Sequence, residues 1–184
     1  MRIIRGKFKT RYFRIPKSFP SRPTTDFAKE GLFNILEHQY SLENLRILDL
    51  CAGSGNISFE FLSREAGTVI AVDKNFNCYK HMKTMSHKYE CEQDITVIKS
   101  DLVRFLNQSN EKFDLIFADP PYAYEEHEEI VNLVFERELL VEGGLLIIEH
   151  GKQTSLKNTT HFNFERMYGG VHFSFFQIND DDDT

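Results

Sequence analysis

The chain has 184 residues, 41% of them hydrophobic and 27% charged, with a formal net charge of -6. That length suits one domain with a full core and is short for two. No apolar run approaches the ~20 residues that a membrane helix needs, and the first residues carry no apolar secretory segment. Three cysteines, Cys51, Cys78 and Cys91, form neither an even set nor a close pair, and seven histidines fall in no metal-ligand spacing. No disulfide framework and no metal site are expected, which fits a reducing cytoplasm.

The charge is unevenly placed. Residues 1–25 hold eight basic side chains (Arg2, Arg5, Lys7, Lys9, Arg11, Arg14, Lys17 and Arg22) and no acid, which leaves 14 basic against 28 acidic residues in the rest. A basic arm on an acidic body suits a polyanion, because each Lys or Arg that neutralises a phosphate releases a counterion. Within the arm, Ile4, Phe8 and Tyr12 alternate with Lys7, Lys9 and Arg11, which predicts a short basic β-hairpin turning near Thr10. A proline-rich linker, "PKSFPSRP", follows.

"TTDFAKEGLFNILEHQY" carries Ala28, Leu32, Ile35 and Leu36 at helical spacing, with Thr or Asp available as a cap. From Leu45 onward, strand-like runs ("RILDLCA", "TVIAVDK", "ITVIKS", "DLIFADP", "GLLIIEH") alternate with helical segments at 57–64, 78–89, 102–106 and 125–135. Such alternation predicts an α/β fold with a parallel sheet covered on both faces. The runs around Gly169-Gly170 predict a terminal antiparallel hairpin.

"LDLCAGSGN" places Gly53 and Gly55 between the first strand and a helix, where backbone N–H groups can face a ligand. The next strand ends at Asp73, an acid able to hold a ribose diol. The third position of the dinucleotide pattern G-x-G-x-x-G is Ser58 here, and Asp49 precedes the turn. A pyrophosphate is disfavoured there, whereas the sulfonium and ammonium of S-adenosylmethionine are favoured. Asp101, after the third strand, is placed to meet an adenine amino group.

The fourth strand ends in "ADPPY". Prolines stop the strand and lack N–H donors, so the Asp119 carboxylate and the Pro120 carbonyl form a rigid acceptor pair beside the Tyr122 ring. Two acceptors on the N–H bonds of a planar amine draw its nitrogen toward a tetrahedral shape, and each hydrogen bond to a charged acceptor is worth about 1.5–3 kcal/mol. Stacking on Tyr122 would add roughly 1–3 kcal/mol.

Together "DLCAGSGN", "AVDKN", "SDL", "DPPY", "RPTTDFAKEGLFNIL", "MRIIRGKF" and "YGGVHFSFF" resemble the bacterial 16S rRNA (guanine-N2)-methyltransferase family over nearly the whole chain. The resemblance implies a class I, Rossmann-like, seven-stranded methyltransferase fold spanning residues 22–179. An RNA-binding arm would occupy 1–21 and an acidic tail 180–184. It implies S-adenosylmethionine as cofactor, 16S rRNA in the small ribosomal subunit as partner, and a monomer. By position, Asp49, Ala52, Gly53, Ser54, Gly55, Asn56, Asp73, Lys74, Asp101 and Leu102 would hold the cofactor. Asp119, Pro120, Pro121 and Tyr122 would hold the guanine, and Arg2, Arg5, Lys7, Lys9, Arg11, Arg22 and Thr24 would face RNA, with Thr24 bordering the active site. Cys51 replaces a larger apolar residue of that family, and the acidic "YEEHEE" lies just beyond Tyr122. An adenine-N6 DNA enzyme, a glutamine-amide enzyme and a non-catalytic RNA-binding protein of the same fold are the alternatives.

Overall fold

The computed structural model describes residues 2–12, 19, 24–121 and 124–178. Arg14, Lys17, Arg22, Tyr122 and the acidic tail therefore lie outside the described residues. The elements in chain order are α1 (Asp26–Gln39), β1 (Arg46–Leu50), α2 (Asn56–Ser63), β2 (Thr68–Asp73), α3 (Phe76–Lys88) and β3 (Ile95–Lys99). After these come α4 (Leu102–Gln108), β4 (Phe113–Ala118), α5 (His127–Glu136), β5 (Leu140–Gly151), β6 (Phe162–Tyr168) and β7 (Val171–Phe176).

The strands form one sheet in the order β3-β2-β1-β4-β5-β7-β6. The first five are parallel, while β7 runs antiparallel to both β5 and β6. Strand polarity thus follows the expected pattern, including the terminal hairpin at Gly169-Gly170. Each parallel strand is covered on both faces. Ile47, Leu115, Phe117 and Ile147 join one core with α1, α2 and α3, and Leu48, Leu50, Ile116 and Ile148 join the other with α4 and α5. Strand order reverses between β1 and β4, so their carboxyl ends flank a crevice of the kind that receives ligands in doubly wound sheets. The acidic segment around Glu125 to Glu129 leads into α5, on the sheet face opposite the N-terminal arm.

The arm reverses direction as expected, closed by an antiparallel bridge between Arg2 and Tyr12 and by hydrogen bonds from Ile3 N–H to Arg11 O and from Thr10 N–H to Ile3 O. Its alternation is different from the expected one. Ile3 and Phe8 are the buried residues, and Tyr12 is 65% exposed. The cause is a compact turn over residues 5–10, with positive φ at Gly6 and Thr10 in place of extended backbone. Gly6 is required twice over. Its φ is +88°, and a Cβ there would sit 1.7 Å from the Ser63 carbonyl oxygen.

This turn lies on α2, which is why that helix is buried on every side. Ile4 and Arg5 donate their N–H groups to the Glu60 carboxylate (2.9 and 3.2 Å), and Lys7 N–H donates to Ser63 O. Glu60 pairs with Lys29 of α1 at 3.0 Å, both side chains being fully buried. The Lys29 ammonium uses its other donors on Arg2 O and Asn56 Oδ1, each at 2.7 Å. Arg64 completes the set against Glu60 and Glu37. Burial draws the Lys29 pKa below its usual value, opposed by the Glu60 charge.

Lys29→Met leaves Glu60 as a buried charge with one partner fewer. Removing one member of a buried pair costs about 3–5 kcal/mol, so urea unfolding of the variant should show a loss of that order. An unchanged midpoint would mean that the pair does not organise the arm and α2.

Candidate active site

The carboxyl ends of β1, β2, β4 and β5 carry the chemistry. After Leu50 the chain passes through Cys51, Gly53 and Gly55, all with positive φ. Gly55 caps α2 in the left-handed region without a side-chain cap, and within the first turn the Ser58 N–H donates to the Asp49 carboxylate. Glycine is needed there for space as well, because a Cβ would meet the Phe59 ring at 2.7 Å. Cys51 adopts φ +60° at the position where the sequence suggested only a change in packing. Its thiol is pushed well above the usual range by burial and by the charges of Asp73, Asp119 and Asp49.

Asp73 closes the loop by accepting from Gly53 N–H at 2.8 Å through one oxygen and from Asn75 N–H at 2.7 Å through the other. Asp49 is buried and accepts from the Ser58 hydroxyl, so the serine that broke the dinucleotide pattern has a defined partner. Asp101 is exposed and caps α4 by accepting from Val103 N–H at 3.0 Å. That capping role is indistinguishable, at the sequence level, from the adenine role expected of it. Leu102 packs into the core below, and Lys74 is exposed.

Asp119 follows β4 and donates its N–H to Leu50 O at 3.1 Å, which joins the fourth-strand motif to the end of β1. Pro120 is buried, and the Pro121 carbonyl accepts from Tyr124 N–H at 2.7 Å. One cleft is lined by Thr24, Asp49, Ala52, Gly53, Ser54 and Asp119, with Phe19, Cys51, Asn56, Ile57 and Phe117. The glycine loop and the Asp119 motif thus share one space, as expected. Thr24 is a buried wall of this cleft, at the border of the active site where the resemblance put it. Its hydroxyl donates to Glu149 at 2.7 Å, and its carbonyl accepts from the Asn56 side chain at 3.1 Å.

Glu149 is the residue that the sequence reading missed. Parallel register puts Ala118 beside Ile148, so Asp119 and Glu149 continue neighbouring strands at one level. The signal was a glutamate inside the apolar run "LLIIEHG". Burial and the charges of Glu149, Asp49 and Asp73 hold the Asp119 carboxyl well above the usual carboxylate range. Burial pushes Glu149 up to about 7, opposed by the Thr24 hydrogen bond, and likewise pushes Asp49 up to about 7. Among the described residues no Lys or Arg pairs with any of these three acids. A cluster of carboxylates lacking a cation fits a ligand that brings positive charge, and the loop without a Cβ fits one that lies close to the backbone.

The basic arm is less free than its sequence implied. Arg2 pairs with Asp26 at 3.3 Å, Arg5 with Glu37 at 2.9 Å and Lys7 with Asp94 at 3.5 Å. The Arg11 guanidinium lies over Phe8 and Tyr89, and Lys9 is exposed. No group of three or more His, Cys, Asp or Glu able to hold a metal is found among the described residues.

A sheet of this order, with a glycine loop after β1, an acid after β2 and Asp-Pro-Pro after β4, has the class I methyltransferase fold. Its structural relatives agree. A Thermus thermophilus protein is 25% identical with a TM-score of 0.84, covering 97% of this chain and 99% of that one. A 16S rRNA N2 methyltransferase of the same organism, in complex with AdoMet and guanosine, shares the fold at 17% identity and a TM-score of 0.70, over 88% of this chain and 45% of its own. The chain belongs to the family described as conserved hypothetical protein 95, whose profile matches residues 1–177. Among curated relatives, ribosomal RNA small subunit methyltransferase D of Haemophilus influenzae is 30% identical over 182 residues, covering 96% of this chain and 93% of that protein.

Glu149→Gln keeps an acceptor for Thr24 but removes the ionisation. Because the folded-state pKa of Glu149 stands above its ordinary value of 4.5, the native state binds the extra proton, and stability falls as pH rises from about 4.5 to about 7. His127 and His150 have pKa values lowered by burial and give the opposite slope, but equally in both proteins. The variant should therefore gain stability over the wild type with rising pH, by up to about 3 kcal/mol at pH 8. Thermal melting across this range checks the sign, and a constant difference would contradict a buried, protonated Glu149.

Proposed function

We propose that the protein transfers a methyl group from S-adenosylmethionine to the exocyclic N2 of one guanine in 16S rRNA of the small ribosomal subunit. The observation that carries this reading is the single cleft shared by the glycine loop and Asp119. The rRNA substrate is supported by the name of the Haemophilus relative, a planar amine by the acceptor pair of Asp119 and Pro120, and guanine N2 in particular by the resemblance of the chain's motifs to the guanine-N2 family. When bound, S-adenosylmethionine supplies the methyl on a sulfonium centre whose positive charge is lost on transfer.

The residues of the chain have separable tasks. Gly53, Ser54, Gly55 and the start of α2, with Ala52 and Asn56, form the floor on which the donor lies. Asp73, at the end of β2, holds the ribose diol with the lone pairs not used by Gly53 and Asn75, while Asp101, Leu102 and Lys74 border the adenine. Asp49 faces the donor's cationic end. Asp119 and the Pro120 carbonyl accept from the two N–H bonds of the guanine amine and aim its lone pair at the methyl carbon, with Tyr122 as the stacking ring. Holding both partners in line accounts for much of the acceleration. Asp119 need not deprotonate the amine beforehand: the proton leaves once nitrogen is cationic, and Asp119 takes it.

Asp119→Ala should abolish transfer while S-adenosylmethionine still binds, whereas Asp73→Ala should mainly weaken donor binding. Calorimetry and single-turnover transfer separate the two, and a normally active Asp119→Ala enzyme would remove the central role assigned here. The function itself is tested by transfer of labelled methyl to small ribosomal subunits from a strain lacking this gene, followed by nucleoside analysis. N2-methylguanosine at one position is the expected product. Label on DNA or on a protein amide would move the reaction to another amine, and no transfer at all would leave an RNA-binding protein.

A further inference from the structure

We propose that the solvent-facing side of α3 is an RNA-backbone track joining the active-site cleft to the N-terminal arm. The proposal rests on the rRNA reading above and adds a surface that the arm alone does not provide.

Residues 74–89 contain Lys74, Lys80, Lys83 and Lys88 and no Asp or Glu, inside a body where acids outnumber bases two to one. Lys80, Lys83 and Lys88 are all exposed. They stand at i, i+3 and i+8 and therefore share one helical side. None of the three is engaged in an ion pair among the described residues, in contrast to Arg2, Arg5 and Lys7 of the arm. The unopposed positive charge of this face is thus on α3 rather than on the part of the arm that lies against acids.

The two ends of α3 give the stripe its direction. Its first residue, Phe76, follows Asp73 at the cleft edge, is 57% exposed, and has the Lys99 ammonium 5.7 Å from its ring centre. The last turn meets the arm: Tyr89 stacks on Phe8 at 5.2 Å and lies under the Arg11 guanidinium. Arg11, Tyr12, Lys88 and Tyr89 line a second cleft at this junction. Thirteen residues of helix span about 20 Å. Lysines along that length suit successive phosphates, and an exposed aromatic ring at each end, Phe76 and Tyr12, suits an unstacked base. A single-stranded RNA segment matches both features.

The test compares Lys80→Gln/Lys83→Gln/Lys88→Gln with the wild type in filter binding of a 16S rRNA transcript, between about 50 and 200 mM salt. The slope of log affinity against log salt should become shallower by roughly 2–3 as three phosphate contacts are lost, with donor binding and the circular dichroism spectrum unchanged. Arg46→Gln/Lys112→Gln, at the opposite edge of the sheet, should leave the slope as it is. An unchanged slope in the α3 variant, or an equal change in the control, would overturn the track while leaving the enzyme reading in place. A wild-type protein with no affinity for the transcript or for small subunits would instead defeat the rRNA reading and the track with it.

Discussion

The buried Lys29–Glu60 pair is the constraint on which the rest of the molecule depends. All three donors of the Lys29 ammonium are used, on Arg2 O, Asn56 Oδ1 and Glu60. Glu60 in turn accepts from the arm backbone at Ile4 and Arg5. Desolvating two charges costs several kcal/mol each, and only complete hydrogen bonding offsets that cost. The pair is therefore tolerable only when arm, α1 and α2 are all in place, which makes their docking all-or-none. Asn56 carries the same arrangement into the cleft, because its amide fixes the Thr24 carbonyl and Thr24 fixes Glu149. Arm placement and cleft shape are two consequences of one network.

Most of the fold was legible because its signals are local. Strands buried on both faces read as continuous apolar runs, helices as 3.6-residue periodicity, and Gly169-Gly170 as a turn, so the element order and the antiparallel end could be written down directly. The arm was legible as a chain reversal but not in its detail. Period-two alternation assumes extended backbone, whereas the conformation here is decided by close approach of Gly6 to Ser63 and by Glu60, some 55 residues away in sequence. A glutamate and a lysine within two helices look like solvent-facing residues until the arm that covers them is known.

The cleft shows the same division. Gly53, Gly55, Asp73 and Asp119 were found because each sits at a fixed offset from a strand end, and strand ends of a parallel sheet converge on one edge. Glu149 was passed over, and Ser58 was noticed without its partner, because both meanings depend on packing: Glu149 matters through its place beside Asp119, and Ser58 through the Asp49 it reaches from the facing helix. Charge on the arm was legible as a sum but not as an availability, since Asp26 and Glu37 come from α1 and Asp94 from the segment before β3.

An acidic cleft is at first sight a poor host for a polyanion. Burial eases the conflict, because it raises the carboxyl pKa values of Asp49, Asp119 and Glu149 and so disfavours their charged forms, which weakens the long-range field of the cleft. A cationic ligand would favour ionisation of the acids nearest to it and offset part of their charge. The lysines of α3 lie on the solvent-facing surface, and their field acts outside the cleft. Interior acid and exterior base therefore act at different ranges: the first selects a small cation at contact distance, the second attracts phosphate from solution.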